Sequence, residues 1–266
     1  MNLDAEQLDR YSRQIILDEV GPAGQGAISD GSVLVVGAGG LGSPAIQYLA
    51  AAGVGRLGVA DGDVVERSNL QRQIVHGADD VGRSKTDSTA EYVADQNPNV
   101  EVQTYGDVDQ SNAADLVADY DVVVDASDNF PTRFVLNDAC VLEDTPLTHG
   151  AVYRFEGQTT TFSGGEPCYR CLFPEAPPEG TVPDCAEAGV FGAVTGTVGS
   201  IQATEALKLL MDVGDTLEGR LLVYDAKHLT TDFVPVTANP DCPVCGSDPI
   251  DSLSGGSYTG RCSVSD

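Results

Sequence analysis

The stretch Ser32-Val-Leu-Val-Val-Gly37-Ala-Gly-Gly-Leu-Gly42 decides the fold. Five residues, four of them β-branched or leucine, read as a short buried strand. The glycines that follow make a tight turn, and small residues continue to about Ala52 at helical spacing. Gly37, Gly39 and Gly42 suit a turn in which a diphosphate approaches the backbone and helix packs closely on strand, with the helix N-terminus supplying a dipole and free N–H groups. The next apolar stretch, Arg56 to Ala60, ends at Asp61, where an acid can hydrogen-bond a ribose hydroxyl. Together these features predict a nucleotide site; by themselves they leave NAD, FAD and ATP open.

Working outward, further strands are expected at Val100 to Thr104, Asp121 to Val124 and Pro146 to Ala151, separated by helices at Ser84 to Gln96, Ala113 to Ala118 and Thr132 to Leu142. The alternation predicts an α/β fold, a doubly wound, Rossmann-like, mostly parallel sheet. Upstream, Leu8, Tyr11, Ile15 and Ile16 give Asp4 to Leu17 the pattern of one amphipathic helix. After about residue 150 the pattern changes. Tyr153 to Phe162 alternates and is rich in Thr, which predicts antiparallel strand; Pro174 to Glu187 is aperiodic and expected to be a mobile crossover. Val194 to Met211 predicts a long helix, followed by strands at Arg220 to Tyr224 and Thr231 to Val236. The organisation is thus a nucleotide-binding half over about 3–150, a second half over about 151–246, and a Ser/Gly-rich tail, 247–266, expected to be flexible.

The chain has 266 residues and carries 41 acids against 14 bases, a net charge of −27. A field of that sign repels phosphate backbones and anionic lipid, so nucleic-acid and membrane-surface roles are disfavoured. A Lys-poor acidic surface is the composition of a protein kept soluble at high salt, and we expect a halophile's cytoplasmic protein. No basic, apolar leader begins the sequence and no long apolar run follows it, so neither export nor anchoring is expected.

Few cations stand in this chain, and their placement is therefore informative. Asn69, Arg72 and Lys85 follow the ribose acid, and Asp128-Asn129 follows the strand at 121–124, on the edge where open sheets bind ligands. An arginine and a lysine can neutralise a triphosphate and its leaving pyrophosphate, and an aspartate can hold Mg²⁺. The competing reading pairs Arg72 and Lys85 with surface carboxylates only. Two C-x-x-C hooks, Cys168/Cys171 and Cys242/Cys245, predict four thiolates around one structural Zn²⁺ rather than a redox dithiol. Cys140 is expected in the core and Cys262 in the tail; Cys185 closes the crossover. His76, His149 and His228 fall in no recognisable motif.

Taken with RYSRQIIL from Arg10, SNLQRQ from Ser68, VGRSK from Val81, ASDN from Ala126, GEPCYRC from Gly165, CAEAGV from Cys185 and NPDCPVCG from Asn239, the sequence resembles the ThiF/MoeB/HesA family of adenylyltransferases. The resemblance runs over residues 3–246. It implies ATP-dependent adenylation of the C-terminal glycine of a small β-grasp, ubiquitin-fold carrier ending in Gly-Gly, for sulfur transfer (molybdopterin, thiamine or tRNA thiolation) or protein conjugation. By position, Gly39, Gly40 and Gly42 lie under the nucleotide, Asp61 binds ribose, Asn69, Arg72 and Lys85 contact phosphates, and Asp128 orders Mg²⁺. Arg13 is implied to reach the partner's site in a homodimer, and some family members use a cysteine at the position of Cys185 for thioester or sulfur-transfer chemistry. No rhodanese-like domain is read after residue 246, so any sulfur donor is expected on another protein. An NAD-dependent oxidoreductase and a non-catalytic subunit of a heterodimeric activating enzyme are the alternatives. The phosphate-directed residues and zinc hooks disfavour the first, the complete set of motif residues the second.

Overall fold

A computed structural model describes residues 3–175, 188–255 and 258. Its centre is one eight-stranded sheet, ordered β3-β2-β1-β4-β5-β6-β7-β8. The parallel part comprises β1 (Ser32–Val36), β2 (Arg56–Ala60), β3 (Glu101–Tyr105), β4 (Val122–Asp125) and β5 (Leu147–Tyr153). β6 (Glu156–Phe162), β7 (Arg220–Asp225) and β8 (Thr230–Pro235) extend it antiparallel, β6 turning straight back on β5. This is the doubly wound sheet with an antiparallel extension that the sequence predicts.

Strand β1 is buried along its whole length because both faces are covered. Val33 and Val35 point into a core made with α4 (Gly42–Ala52) and α9 (Gly192–Met211). Leu34 and Val36 point into the opposite core, made with α6 (Ala113–Ala118) and α7 (Phe130–Leu142). The strand order reverses direction between β1 and β4, and Val36 sits level with Asp125 at their carboxyl ends. In open α/β sheets that switch point is the ligand crevice.

One expectation needs correction, and two features add to the sequence reading. The N-terminal helix is two short pieces, α1 (Ala5–Arg10) and α2 (Ser12–Ile15), broken at Tyr11, whose ring is buried and whose hydroxyl accepts a hydrogen bond from Asn97. Helix α3 (Gly21–Asp30) has no helical signal in its sequence, because Gly21, Pro22, Gly24 and Gly26 give it poor intrinsic propensity. Packing overrides this: a methyl group at Gly24 would meet Met211 Sδ at 3.1 Å, and buried Gln25 donates to the Ala52 carbonyl at 3.0 Å. Finally, the segment after 246 is not wholly without packing. Leu253 is buried on the α6–α7 side, and the Tyr258 hydroxyl donates to Asp138 at 3.0 Å. The expected crossover falls almost entirely on 176–187, outside the described residues, as do Cys185 and Cys262.

Candidate active site

The glycine loop between β1 and α4 is shaped by contacts that admit no side chain. Gly37 has φ +101°, and a methyl group there would lie 2.6 Å from the Ala126 carbonyl oxygen. At Gly42 it would lie 1.7 Å from the Gly37 carbonyl oxygen. The chain therefore turns tightly enough for α4 to start directly beside the ends of β1 and β4. Among the described residues, the N–H groups of Gly39, Gly40, Leu41 and Gly42 donate to no protein acceptor. Unpaired N–H groups at the start of an 11-residue helix form a cradle for an anion, and a methyl group on Gly39 would stand in it.

Asp61 sits beside this cradle at the end of β2. One carboxylate oxygen accepts from Ala38 N–H at 2.8 Å and the other from Asp63 N–H at 2.9 Å. A carboxylate offers about four lone-pair sites, so both oxygens retain capacity for a hydroxyl. Lys85, the first residue of α5 (Lys85–Gln96), has its side chain 7% exposed and reaches Asp63 at 2.7 Å and Asp61 at 3.5 Å. Burial pulls its ammonium down, but Asp61 and the hydrogen bond to Asp63 outweigh that and hold its pKa above the ordinary lysine value, so it stays charged. The pairing read as a competing explanation does occur for Lys85: its nearer partner, Asp63, is a surface carboxylate, and its farther one is the site acid Asp61.

Arg72 stands against the loop, its Cγ 3.3 Å from where a methyl group on Gly40 would lie. Its guanidinium donates to the Ser68 carbonyl at 3.2 Å. Asn69 is buried in the same turn and accepts from Glu66 N–H at 3.0 Å. Asp128 is exposed past the end of β4, and Asn129 behind it caps α7 by accepting from Thr132 N–H at 2.9 Å. The structure thus brings Gly39, Gly40, Gly42, Asp61, Arg72, Lys85 and the Asp128 loop to one sheet edge. It does not bring Arg13 there: that side chain is exposed on α2 and, among the described residues, makes no hydrogen bond or ion pair with the site.

Several residues of the site have no role read from the sequence, although Gln73 closes the SNLQRQ block. Gln73 is buried with its Oε1 unpartnered and its Nε2 beside Gly39. His76 reaches Ala38. Thr195, from α9, packs on Gly40, because Gly199 allows α9 to lie against Leu41 at the start of α4. Beneath the Asp128 loop, His149 Nδ1 donates to Asp125 at 2.7 Å, and the other Asp125 oxygen accepts from the Ser127 N–H and hydroxyl. Burial pushes Asp125 up, but the bond from His149 leads the effects that hold it below its ordinary value. His149 is itself held low by burial and is neutral.

At the far end of α7 the two cysteine hooks meet. The four sulfurs lie within 4.8 Å of one another, with Cys168 Sγ 3.6 Å from Cys242 Sγ and Cys171 Sγ 3.4 Å from Cys245 Sγ. Four thiolates at about 2.3 Å from Zn²⁺ have tetrahedral edges of about 3.8 Å, so the donor set and its spacing are compatible with zinc and leave no open position. Asn239 N–H points at Cys171 Sγ at 3.4 Å, a partner that stabilises thiolate. Tyr169 N–H donates to Asn137, and Arg170 pairs with Asp138 at 2.7 Å, which locks this knuckle onto α7.

The model of the ThiF family matches residues 11–244. The chain belongs to the ThiF family. Within it, the chain is 62% identical over 266 residues to a SAMP-activating enzyme E1 of Haloferax volcanii, covering 100% of this chain and 98% of that one. It is 52% identical over 256 residues to a sulfur carrier protein adenylyltransferase of Thermus thermophilus, covering 94% of each. A crystal structure of Escherichia coli MccB with MccA-N7isoASN shares the ThiF-like fold at TM-score 0.80, covering 90% of this chain and 75% of that one at 21% identity. No helix among the described residues is long and apolar enough to cross a membrane.

Proposed function

We propose that this ThiF family protein adenylates the C-terminal glycine carboxylate of a small ubiquitin-fold carrier ending in Gly-Gly, activating it for sulfur transfer or conjugation. The observation that carries this reading is the anion cradle of Gly39 to Gly42, with Arg72 against Gly40 and Lys85 held by Asp61, which binds Ala38 N–H, in a chain of net charge −27. In so acidic a chain, cations gathered at one loop serve an anionic substrate. With ATP as substrate, the loop N–H groups receive phosphate oxygens and Asp61 accepts a ribose hydroxyl. A carboxylate oxygen of the carrier bonds to the α-phosphorus while the bond to the bridging oxygen breaks, and pyrophosphate leaves with the electron pair. Two anions must meet, so Arg72 and Lys85 act by offsetting charge that builds on the phosphates, with Asn69 fixing the turn that carries Arg72. Asp128 would hold Mg²⁺, which supplies further neutralisation of the phosphate oxygens.

Two parts of the reading reach beyond one described chain. Arg13 is exposed and, among the described residues, has no hydrogen bond or ion pair with its own site, which suits a guanidinium offered to a second subunit's phosphates in a homodimer. Cys185 follows adenylation as the thiol that captures the activated carrier, displacing AMP. The deciding experiment is carrier-dependent exchange of labelled pyrophosphate into ATP, run with each small diglycine-ending protein of the same cell. Exchange with at least one is expected, and exchange with none overturns the reading. In the same samples a thiol-cleavable carrier adduct, absent in Cys185→Ser while exchange persists, reports on the capture step; normal downstream thiolation by the serine variant overturns it.

A further inference from the structure

His76 is buried, 7% exposed, and none of the chemistry above uses it. Its Nε2 lies 3.1 Å from the Ala38 carbonyl oxygen and its Nδ1 lies 2.9 Å from Ser88 Oγ. A carbonyl oxygen only accepts, so Nε2 carries a proton toward Ala38; in the neutral ring Nδ1 then accepts from the Ser88 hydroxyl, which also lies by Asp80. Burial holds the imidazole below its ordinary pKa, which favours this neutral form.

The Ala38 carbonyl belongs to the same peptide plane as the Gly39 N–H, and in a trans peptide the two point in opposite directions. Drawing the carbonyl back toward His76 therefore aims the Gly39 N–H outward, into the anion cradle. The plane needs such a hold. Gly39 follows it and lacks a Cβ, so turning the plane over meets little steric resistance. Ala38 N–H, held by Asp61 at 2.8 Å, fixes only the preceding plane.

Resting on the adenylation reading, we propose that His76, as the neutral Nε2–H tautomer, is a positioning residue that locks the Ala38–Gly39 peptide with its N–H toward the nucleotide phosphates. It ties together three segments that meet nowhere in sequence: the glycine loop, the turn carrying Arg72 and the helix that starts at Lys85. The Ala38 carbonyl, which can only accept, sets the tautomer, and the Ser88 hydroxyl satisfies the other ring nitrogen.

The test uses the two amides that each replace one ring nitrogen. His76→Gln keeps an N–H donor at the Nε2 position, within reach of Ala38; His76→Asn places its amide at the Nδ1 position and reaches only Ser88. ATP affinity, measured by calorimetry on the full chain, is expected to weaken about tenfold in His76→Asn, equivalent to about 1.4 kcal/mol, and to stay within about twofold of wild type in His76→Gln. Carrier affinity is expected to be unchanged in both. Equal losses in the two variants make His76 a packing residue and overturn the proposal, as does no loss in either. A long-range proton–nitrogen spectrum of the wild-type imidazole covers the case in which a variant does not fold: an Nδ1–H tautomer or a charged ring at neutral pH overturns the proposal. Wild-type protein with no ATP affinity overturns the adenylation reading instead, and the tautomer still decides which way His76 holds the loop.

Discussion

Asp128 and Asp125 stand three residues apart and do opposite work. Asp125 is buried and spends both oxygens on His149 and Ser127, so it builds the loop; Asp128 is exposed, with only a 3.5 Å contact from Asn129, so its carboxylate is available to a ligand. Asp128→Ala is accordingly expected to abolish pyrophosphate exchange while leaving the melting temperature within a degree or two, since exposed substitutions cost about 0.5 kcal/mol or less. Exchange near the wild-type rate removes Asp128 from the chemistry. The pair below makes a prediction about pH. His149 is neutral and its native pKa lies below the ordinary 6.5, so as pH falls through that value the unfolded chain takes up a proton that the native chain refuses. Stability is present above about pH 6.5 and declines below it. His149→Asn keeps an N–H toward Asp125 without a titrating ring, and melts between pH 7.5 and 5.5 are expected to show a shallower decline than wild type; an equal slope refutes the assignment.

At the scale of elements, α7 links the two ends of the molecule's second core. Its N-terminus is capped by Asn129, next to Asp128, and further along Asn137 and Asp138 hold Tyr169 and Arg170 of the cysteine knuckle. The knuckle in turn joins the segment after β6 to the segment after β8. Cys168→Ser or Cys245→Ser is therefore expected to release about one zinc per chain and to lower the melting temperature, because binding energy of a four-thiolate site is folding energy. Elemental analysis of the folded wild type showing no zinc contradicts this.

For the whole molecule, charge and assembly set the expectations. With 41 acids and 14 bases, self-repulsion is screened only when the Debye length is short, about 3 Å at 1 M salt against about 10 Å at 0.1 M. Activity and melting temperature are both expected to fall on dialysis into dilute buffer; full activity there refutes the reading of a high-salt protein. Assembly is tested by complementation. If Arg13 completes the partner's site, Arg13→Ala and Arg72→Ala are each inactive, yet a mixture of exchanged subunits regains up to about a quarter of wild-type activity, from the mixed dimers that retain one intact site. No recovery in subunits shown to exchange places Arg13 outside the site.

Local pattern by itself determined the parallel sheet, its strand boundaries to within one or two residues, the glycine turn, Asp61 and the two cysteine hooks. Each rests on information within a few neighbours: a β-branched run, a turn only glycine can make, a pair of thiols one helical turn apart. Tertiary structure alone decided the rest. Helix α3 exists because its glycines let it lie against Met211, against its own propensity. Tyr11 breaks the N-terminal helix because its ring fills the space over Gly53. Thr195 and His76 reach the glycine loop from segments 155 and 38 residues distant from Gly40 and Ala38 in sequence. Such contacts depend on the complementarity of surfaces remote in the chain, and no periodicity or motif at either end records them.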